Sequence, residues 1–404
     1  MKKIIIAGGG ISGLVARYRL SQRYPDANIV LYEKSDRLGG CIETIKKPYF
    51  FERGPRTFKA SRCQSLLDLI DELDLSKDLL YSSKDAKRRY LWKDGKLHAL
   101  PIHPLGIFTS SIIRPFLPSL LKEWRQPCLA GEDESIASFV ERRLGKYAAE
   151  TFFDPLTLGI FAGDIHQLSI AACFPELKKM EQEFGSLTKA LLKKKKTQKR
   201  KGLFTLKGGV LTLVDRLVER GKGEIHLNTP LESLDEKELV LALSAPAAAS
   251  LFKNDPIAKD FFASIPSTSL TVVNVAYQNL KLNYPGFGYL VPTSEKEKVL
   301  GVVFDSSIFP QQNSKNETRL TVMLRHGDSK EALDAIKRHL GIQQEPNEVH
   351  VKKYSHAIPQ YQIGHLKRVN GFEEHLVKHY PHITCLGNYL HGVSLNHCIQ
   401  NPTQ

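Results

Sequence analysis

The sequence predicts an α/β fold, and three features of its first 33 residues carry that reading. Lys3 to Ala7 is a short apolar run. Gly8, Gly10 and Gly13 follow in the string GGGISG. A second apolar run then closes on Glu33, twenty residues past Gly13. In order these read as a strand, a tight glycine turn, a helix, a strand and an acid, the pattern of a Rossmann-like dinucleotide-binding unit. Gly10 lets the backbone approach a pyrophosphate, and the helix opening there offers free N–H groups and a positive dipole end. Glu33 stands where an acid would take a ribose. The alternative is a glycine-rich turn in some other α/β protein.

Composition narrows the class. The chain has 404 residues, 42% hydrophobic and 25% charged. That suits a soluble globular protein of about two to three domains. A net charge of +14 favours anionic partners, acidic lipid or a polyanionic substrate, or is only a basic surface. No motif supports nucleic-acid binding. The six cysteines form no CxxC pattern and the histidines no HExxH, so no metal is expected. Glycines interrupt the N-terminal apolar run at once, so it reads as a first strand and not a signal peptide.

The elements follow in order. SLLDLIDELDL is a helix, and KRRYLWKDGKLHALP is a hairpin turning at Asp94-Gly95. Pro101 to Leu121 is apolar but carries Arg114 and four prolines. It is not read as a spanning helix. It either packs inside the protein or dips apolar side chains into one bilayer face. Helical periodicity dominates up to about residue 192. Lys193 to Lys201 is a basic run, either a solvated loop or an anionic lipid contact. LFTLKGGVLTLVDRLVERG is a strand, a glycine turn and a helix. TSLTVVNVAYQNL, GFGYLVP, VLGVVFDSS and RLTVMLRHGD read as strands of an antiparallel sheet. SKEALDAIKRHLG is an amphipathic helix, and the last stretch is a helix, a strand ending at Gly387-Asn388 and a final helix start.

EKSDRLGGCIET (Glu33 to Thr44) follows the second strand directly, and FFERGPRTF (Phe50 to Phe58) comes next. This layout resembles the amine-oxidase-like flavoproteins. Along the whole chain LGIFAGDIHQLS, FPELKKMEQEFGSL, AIPQYQIGH and GNYLHGVSLNHCI resemble their porphyrinogen-oxidising branch, the oxygen-dependent protoporphyrinogen oxidases. The resemblance implies non-covalent FAD, gripped by both ends of the chain. It implies a Rossmann-like FAD-binding domain of residues 1–80, 203–255 and 354–404. An α+β substrate domain of residues 81–100 and 256–353 is inserted, with a helical, membrane-facing subdomain at 101–202.

By the same resemblance, Gly8, Gly10, Ile11, Ser12 and Gly13 match the pyrophosphate turn. Glu33 and Lys34 match the ribose region, and Arg37, Gly39 and Gly40 the second glycine pair. Gly54, Pro55 and Arg56 match a loop near the flavin ring. Leu231 matches an adenine contact on a later strand, and Tyr354 an aromatic wall that is tryptophan in many relatives. Gly387, Asn388, Val393, Ser394 and Leu395 match the C-terminal flavin segment.

The implied substrate contacts are Arg89 and Arg56 for carboxylates, with Phe161, Gly163, Asp164, Tyr289, Leu290 and Met323 lining a flat pocket. Arg89 could instead be a solvated hairpin arginine, and Tyr289, Leu290 and Met323 plain core. Met323 replaces an aromatic residue common in relatives, which removes a stacking surface. Little of the closing helix follows GVSLNHCI. No catalytic side chain is singled out.

The implied reaction is oxidation of a porphyrinogen to a porphyrin in haem biosynthesis, by repeated hydride transfer to FAD with oxygen as acceptor and hydrogen peroxide released. Protoporphyrinogen IX is the expected substrate and coproporphyrinogen III the alternative. Amine oxidases, carotenoid desaturases and flavin-free relatives like the Rab GDP-dissociation inhibitors are more distant readings. Ferrochelatase is an expected partner, and the expected setting is cytoplasmic, on the inner face of a membrane.

Overall fold

In the computed structural model, which describes residues 2–129, 131, 133–193 and 202–400, the chain forms two units. The first takes Met1–Tyr81, Lys199–Pro266 and Leu366–Gln404; the second takes Ser82–Gln198 and Ser267–His365. The strands of the two main sheets are β1 (Lys3–Ala7), β2 (Asn28–Tyr32), β3 (Tyr90–Lys93), β4 (Lys96–Ala99), β5 (Glu224–His226) and β6 (Leu239–Leu241). After them come β7 (Ser267–Gln278), β8 (Gly288–Leu290), β9 (Val299–Val303), β10 (Glu317–Leu324), β11 (Glu348–Pro359) and β12 (Ile383–Cys385).

In the first unit the sheet order is β5-β2-β1-β6-β12, with every pair parallel. Three separated stretches of sequence therefore build one sheet. Ile4 to Ile6, Ile29 to Leu31 and Leu239 to Leu241 are continuous buried apolar runs. Strands covered on both faces need such runs, where a half-exposed strand would alternate. On one face lie α1 (Ile11–Arg23), α2 (Gln64–Glu72) and α4 (Leu211–Arg220), whose Leu14, Val15, Leu66, Leu213 and Leu217 join one core. On the other, Phe252, Phe261 and Phe262 pack with Phe372 of α6 (His365–His379). The Phe261 and Phe372 rings stack with centroids 4.0 Å apart.

In the second unit the sheet order is β11-β7-β10-β9-β8-β3-β4. The hairpin β3–β4 turns at Asp94 and Gly95, both at positive φ (51° and 71°), as an Asp-Gly turn should. One face carries α5 (Ser329–Leu340), started by a capping box between Asp328 and Glu331 and ended by Gly341 at φ 70°. Its Ala332, Ala335, Ile336 and Leu340 pack on Val273, Val275, Leu320, Val322 and Leu324.

Three sequence expectations are corrected here. The sheet is mixed, because β8 and β3 run parallel. Residues 348–359, not read as a strand, form the long edge strand β11, so Tyr354 pairs with Leu270 in this sheet and is not part of the nucleotide-binding sheet. The strand escaped notice because most of its residues are half-buried or exposed, which leaves no apolar run. The last strand ends at Cys385, before Gly387-Asn388.

The helical part of the second unit holds a buried ion cluster. Arg143 donates to Glu181 at 2.8 Å and to Glu123 at 3.2 Å, all three side chains fully buried. Lys178 and Arg142 also donate to Glu181. Glu123 accepts from Ser186, Leu187 and Thr188, which caps the helix Leu187–Lys193. Within Pro101 to Leu121, Ile112 is buried but Phe108 and Leu121 are 67% and 74% exposed. Among the described residues no helix is long and apolar enough to cross a membrane. The basic run from 194 to 201 lies outside the described residues.

Candidate functional site

The first unit supplies a cradle. β1 ends at Ala7, and the next residue, Gly8, donates its N–H to the Tyr32 carbonyl at 2.8 Å. A Cβ on Gly13 would sit 1.9 Å from the Gly8 oxygen, and one on Gly8 2.2 Å from the Ala242 oxygen. Both positions need glycine for close packing. Gly10 differs: a Cβ there would meet nothing within 4 Å. That open side, beside the first turn of α1 with Ile11 and Ser12, is space a pyrophosphate could take.

The Glu33 carboxylate lies against this turn. It accepts from the Gly9 N–H at 2.6 Å and from the Ser35 N–H and hydroxyl at 2.9 and 2.6 Å. Lys34 follows it, exposed. Gly39 donates to the Gly9 carbonyl at 2.8 Å, so the two glycine turns are joined. Arg37 braces the second turn by donating to the carbonyls of Leu38, Gly40 and Ile42. A Cβ on Gly54 would lie 2.0 Å from the Cys41 oxygen; Pro55 follows, and Arg56 is buried.

The C-terminal segment closes on the same unit. Gly387 has φ 157° and packs against Tyr389 and the Leu243 oxygen. Asn388 and Val393 are half-buried. Ser394 caps the short helix α7 (Leu395–Cys398) by accepting from the His397 N–H. Leu395 packs into the core, so only its backbone is available to a ligand. Two pins hold this segment. Ser12 donates to the Cys398 carbonyl at 2.9 Å, and buried Asn396 accepts from the Leu66 N–H at 3.1 Å. Asn396 is a residue the sequence reading missed; only its place inside GVSLNHCI pointed to it. Leu231 is corrected: it lies in the loop after β5, not on a strand, and leans on the core.

Burial pushes the Cys173, Cys385 and Cys398 thiols up to about 12, so they stay protonated at neutral pH. Among the described residues no group of histidine, cysteine and acid side chains could hold a metal ion.

In the second unit the face opposite α5 gathers several of the expected substrate residues. Leu290 pairs with Gly301, and Gly301 with Met323. Directly opposed residues share a face, so Leu290 and Met323 flank a glycine on one flat row. The helix α3 (Asp154–Phe161) crosses this face, with Leu158 and Ala162 packed on Leu270, Leu300 and Ile358. Tyr289 is corrected. It points the other way, is 3% exposed, and bonds His339 at 2.9 Å beneath α5. Strand alternation sends adjacent Tyr289 and Leu290 to opposite faces.

Phe161 ends α3, and Ala162 turns the chain at φ 49°. Gly163 is wedged so tightly that a Cβ would lie 2.1 Å from the Gln360 Oε1. Gln360, also missed in the sequence, donates to the Phe161 carbonyl at 2.9 Å. Asp164 is exposed, and its carboxylate accepts from the His166 N–H at 2.8 Å. It shapes the turn. Arg89 is exposed, just before β3, with its guanidinium 5.1 Å from the Phe287 ring centroid. Partial desolvation lowers its pKa below the usual arginine value.

A parallel sheet ending in two joined glycine turns, with an acid bonded to the first, defines a dinucleotide-binding oxidoreductase fold. The chain belongs to the flavin-containing amine oxidoreductase family, whose model matches residues 11–368. It is an oxidoreductase that uses FAD. It is 32% identical to human protoporphyrinogen oxidase, over 100% of this chain and 97% of that protein. It is 26% identical to Bacillus subtilis coproporphyrinogen III oxidase, over 98% and 96%. A crystal structure from Exiguobacterium sp. 255-15, provisionally assigned as a protoporphyrinogen oxidase, covers 99% of this chain and 97% of its own at 24% identity with TM-score 0.86. Reduced UDP-galactopyranose mutase shares the fold at 12% identity and TM-score 0.74.

Proposed function

We propose that this chain oxidises protoporphyrinogen IX to protoporphyrin IX in haem biosynthesis. One observation carries the reading: end-to-end likeness at 32% identity to a protoporphyrinogen oxidase. The flat Leu290–Gly301–Met323 row suits an apolar macrocycle. Bound FAD supplies the two-electron acceptor for each of the three oxidations that make a porphyrin. The net balance is one porphyrinogen and three oxygen molecules giving one porphyrin and three hydrogen peroxides.

The chain's own residues bind and orient. The first turn of α1 and Gly10 would hold the pyrophosphate, Glu33 a ribose, and Gly387 to Leu395 the flavin end. Arg89 would pair a propionate, and Leu290 and Met323 would exclude water from one ring face. No side chain is assigned as an acid or base. Ferrochelatase would take the product. Exposed Ile102, Phe108, Leu121 and Trp124 would touch a membrane surface, from which a poorly soluble substrate arrives.

The test is porphyrin fluorescence against time with FAD-loaded protein, oxygen and protoporphyrinogen IX, with peroxide measured in parallel. Three peroxides per porphyrin support the reading. No fluorescence above the protein-free rate would sink it.

A further inference from the structure

The first turn of α1 and the C-terminal helix α7 are tied to each other. The Ser12 hydroxyl donates to the Cys398 carbonyl at 2.9 Å. Ser12 stands ahead of the first intrahelical bond of α1, from Leu14 to Gly10 at 3.0 Å. Its backbone N–H is therefore one that the helix itself does not bond, beside the open space at Gly10. One residue serves two directions, its backbone at the helix start and its hydroxyl on α7.

α7 is a single turn, too short to hold its shape alone. Leu395 and Ile399, four residues apart, seat it in the core that also holds Leu14 and Leu66. Between them Asn396, 4% exposed, accepts from the Leu66 N–H at 3.1 Å. That N–H lies in the first turn of α2, ahead of its first helical bond, from Leu67 to Cys63 at 3.1 Å. Asn396 thus caps α2 from far along the chain, and a buried amide that must keep its partner fixes how α7 sits.

We infer that Asn396 is a positioning residue of the FAD site: by seating α7 on α2 it holds the Cys398 carbonyl where Ser12 bonds it, and so couples docking of the C-terminal segment to FAD binding at the first turn of α1. This rests on the placement of the pyrophosphate beside Gly10 in the reading above. Asn396 acts through Ser12 and not by touching the cofactor. Such coupling is reciprocal. FAD that fixes the α1 turn tightens α7, and a loosened α7 weakens FAD binding.

The experiment measures FAD affinity by flavin fluorescence, the Tm of the apoprotein, and amide exchange with and without FAD. The proteins are wild type, Asn396→Ala, Asn396→Asp, Ser12→Ala and the Ser12→Ala/Asn396→Ala pair. In wild type, FAD should slow exchange at the Leu66 amide at least about five-fold, although α2 is given no contact with the cofactor. Asn396→Ala should raise the FAD Kd about ten-fold, the factor for one lost buried hydrogen bond. Asn396→Asp, which keeps the acceptor oxygen, should recover most of that loss. The pair should lose less than the product of the two single losses, because both act through α7. Equal Leu66 exchange with and without FAD in wild type would overturn the inference without any variant. So would a lower apoprotein Tm in Asn396→Ala at unchanged FAD Kd, or single losses that simply multiply. An FAD Kd unchanged in Gly10→Ala would instead overturn the pyrophosphate placement beneath it.

Discussion

The Gln360 side-chain amide donates to the Phe161 carbonyl at 2.9 Å, joining residues 199 apart in sequence. Phe161 is the last residue of α3, and its carbonyl would otherwise be an orphan of the helix end. The bond ties the Phe161–Gly163 turn to the end of β11. Gln360→Leu keeps the volume and removes the donor. It should cost about 1–3 kcal/mol, because a buried acceptor loses a partner. It should also raise KM for the porphyrinogen more than it lowers kcat, since in the proposed reading the turn would line the substrate face without doing chemistry. Steady-state kinetics beside urea unfolding check this; an unchanged KM with lost stability would leave Gln360 a purely structural residue.

Gly10 and Gly13 should respond oppositely to one added methyl. Gly10→Ala places its Cβ in open space, so the apoprotein should unfold within about 1 kcal/mol of wild type. Its FAD-induced rise in Tm should shrink, because the methyl would take the space proposed for the pyrophosphate. Gly13→Ala drives a Cβ into the Gly8 carbonyl and should destabilise the apoprotein itself. Thermal scans of both variants with and without FAD separate the two effects.

Tyr289→Phe tests the corrected placement of that side chain. Its hydroxyl bonds His339 in the core, and His339 also stacks on Trp92 with ring centroids 4.0 Å apart. The variant should lose about 1–2 kcal/mol of stability with kcat/KM near wild type. A large loss of activity at full stability would return Tyr289 to the substrate pocket.

Arg143→Leu should be among the most damaging single changes. It leaves Glu123 and Glu181 buried without their shared cation, at a cost of about 3–5 kcal/mol. The same cluster sets an acid limit. Burial alone would raise the Glu123 and Glu181 pKa values, but Ser186 and Thr188 on the former, and Arg142, Lys178 and Arg143 on the latter, hold them below 4.5. The unfolded chain then binds more protons than the folded one as pH falls below that range. Stability from the cluster is present above about pH 4.5 and is lost as pH drops through the depressed folded values. Urea midpoints from pH 7 to about pH 3 should fall most steeply below about pH 4.5, and less so in Arg143→Leu.

Membrane contact has a direct check. Replacing Phe108 and Leu121 by serine removes two exposed apolar side chains, and vesicle co-sedimentation should drop several-fold. Equal sedimentation of the variant would discard the contact.

The sequence by itself determined the nucleotide-binding half to a large degree. The runs Ile4–Ile6 and Ile29–Leu31, the turn Gly8–Gly13 and Glu33 are contiguous, and each follows from local sterics: continuous burial needs continuous apolar residues, and close backbone approach needs glycine. The Asp94-Gly95 hairpin was legible for the same reason. The tertiary structure decided what depends on partners far along the chain. β11 is a strand because β7 pairs with it, although its own residues carry no apolar run. Tyr289 and Leu290 are equivalent as sequence, and only the register against Val302 and Gly301, with α5 beneath one face, assigns one to the core under α5 and the other to the opposite face. Gln360 and Asn396 gained their roles from acceptors and donors 199 and 330 residues away, contacts that no local pattern encodes because chain folding alone brings them within hydrogen-bond reach.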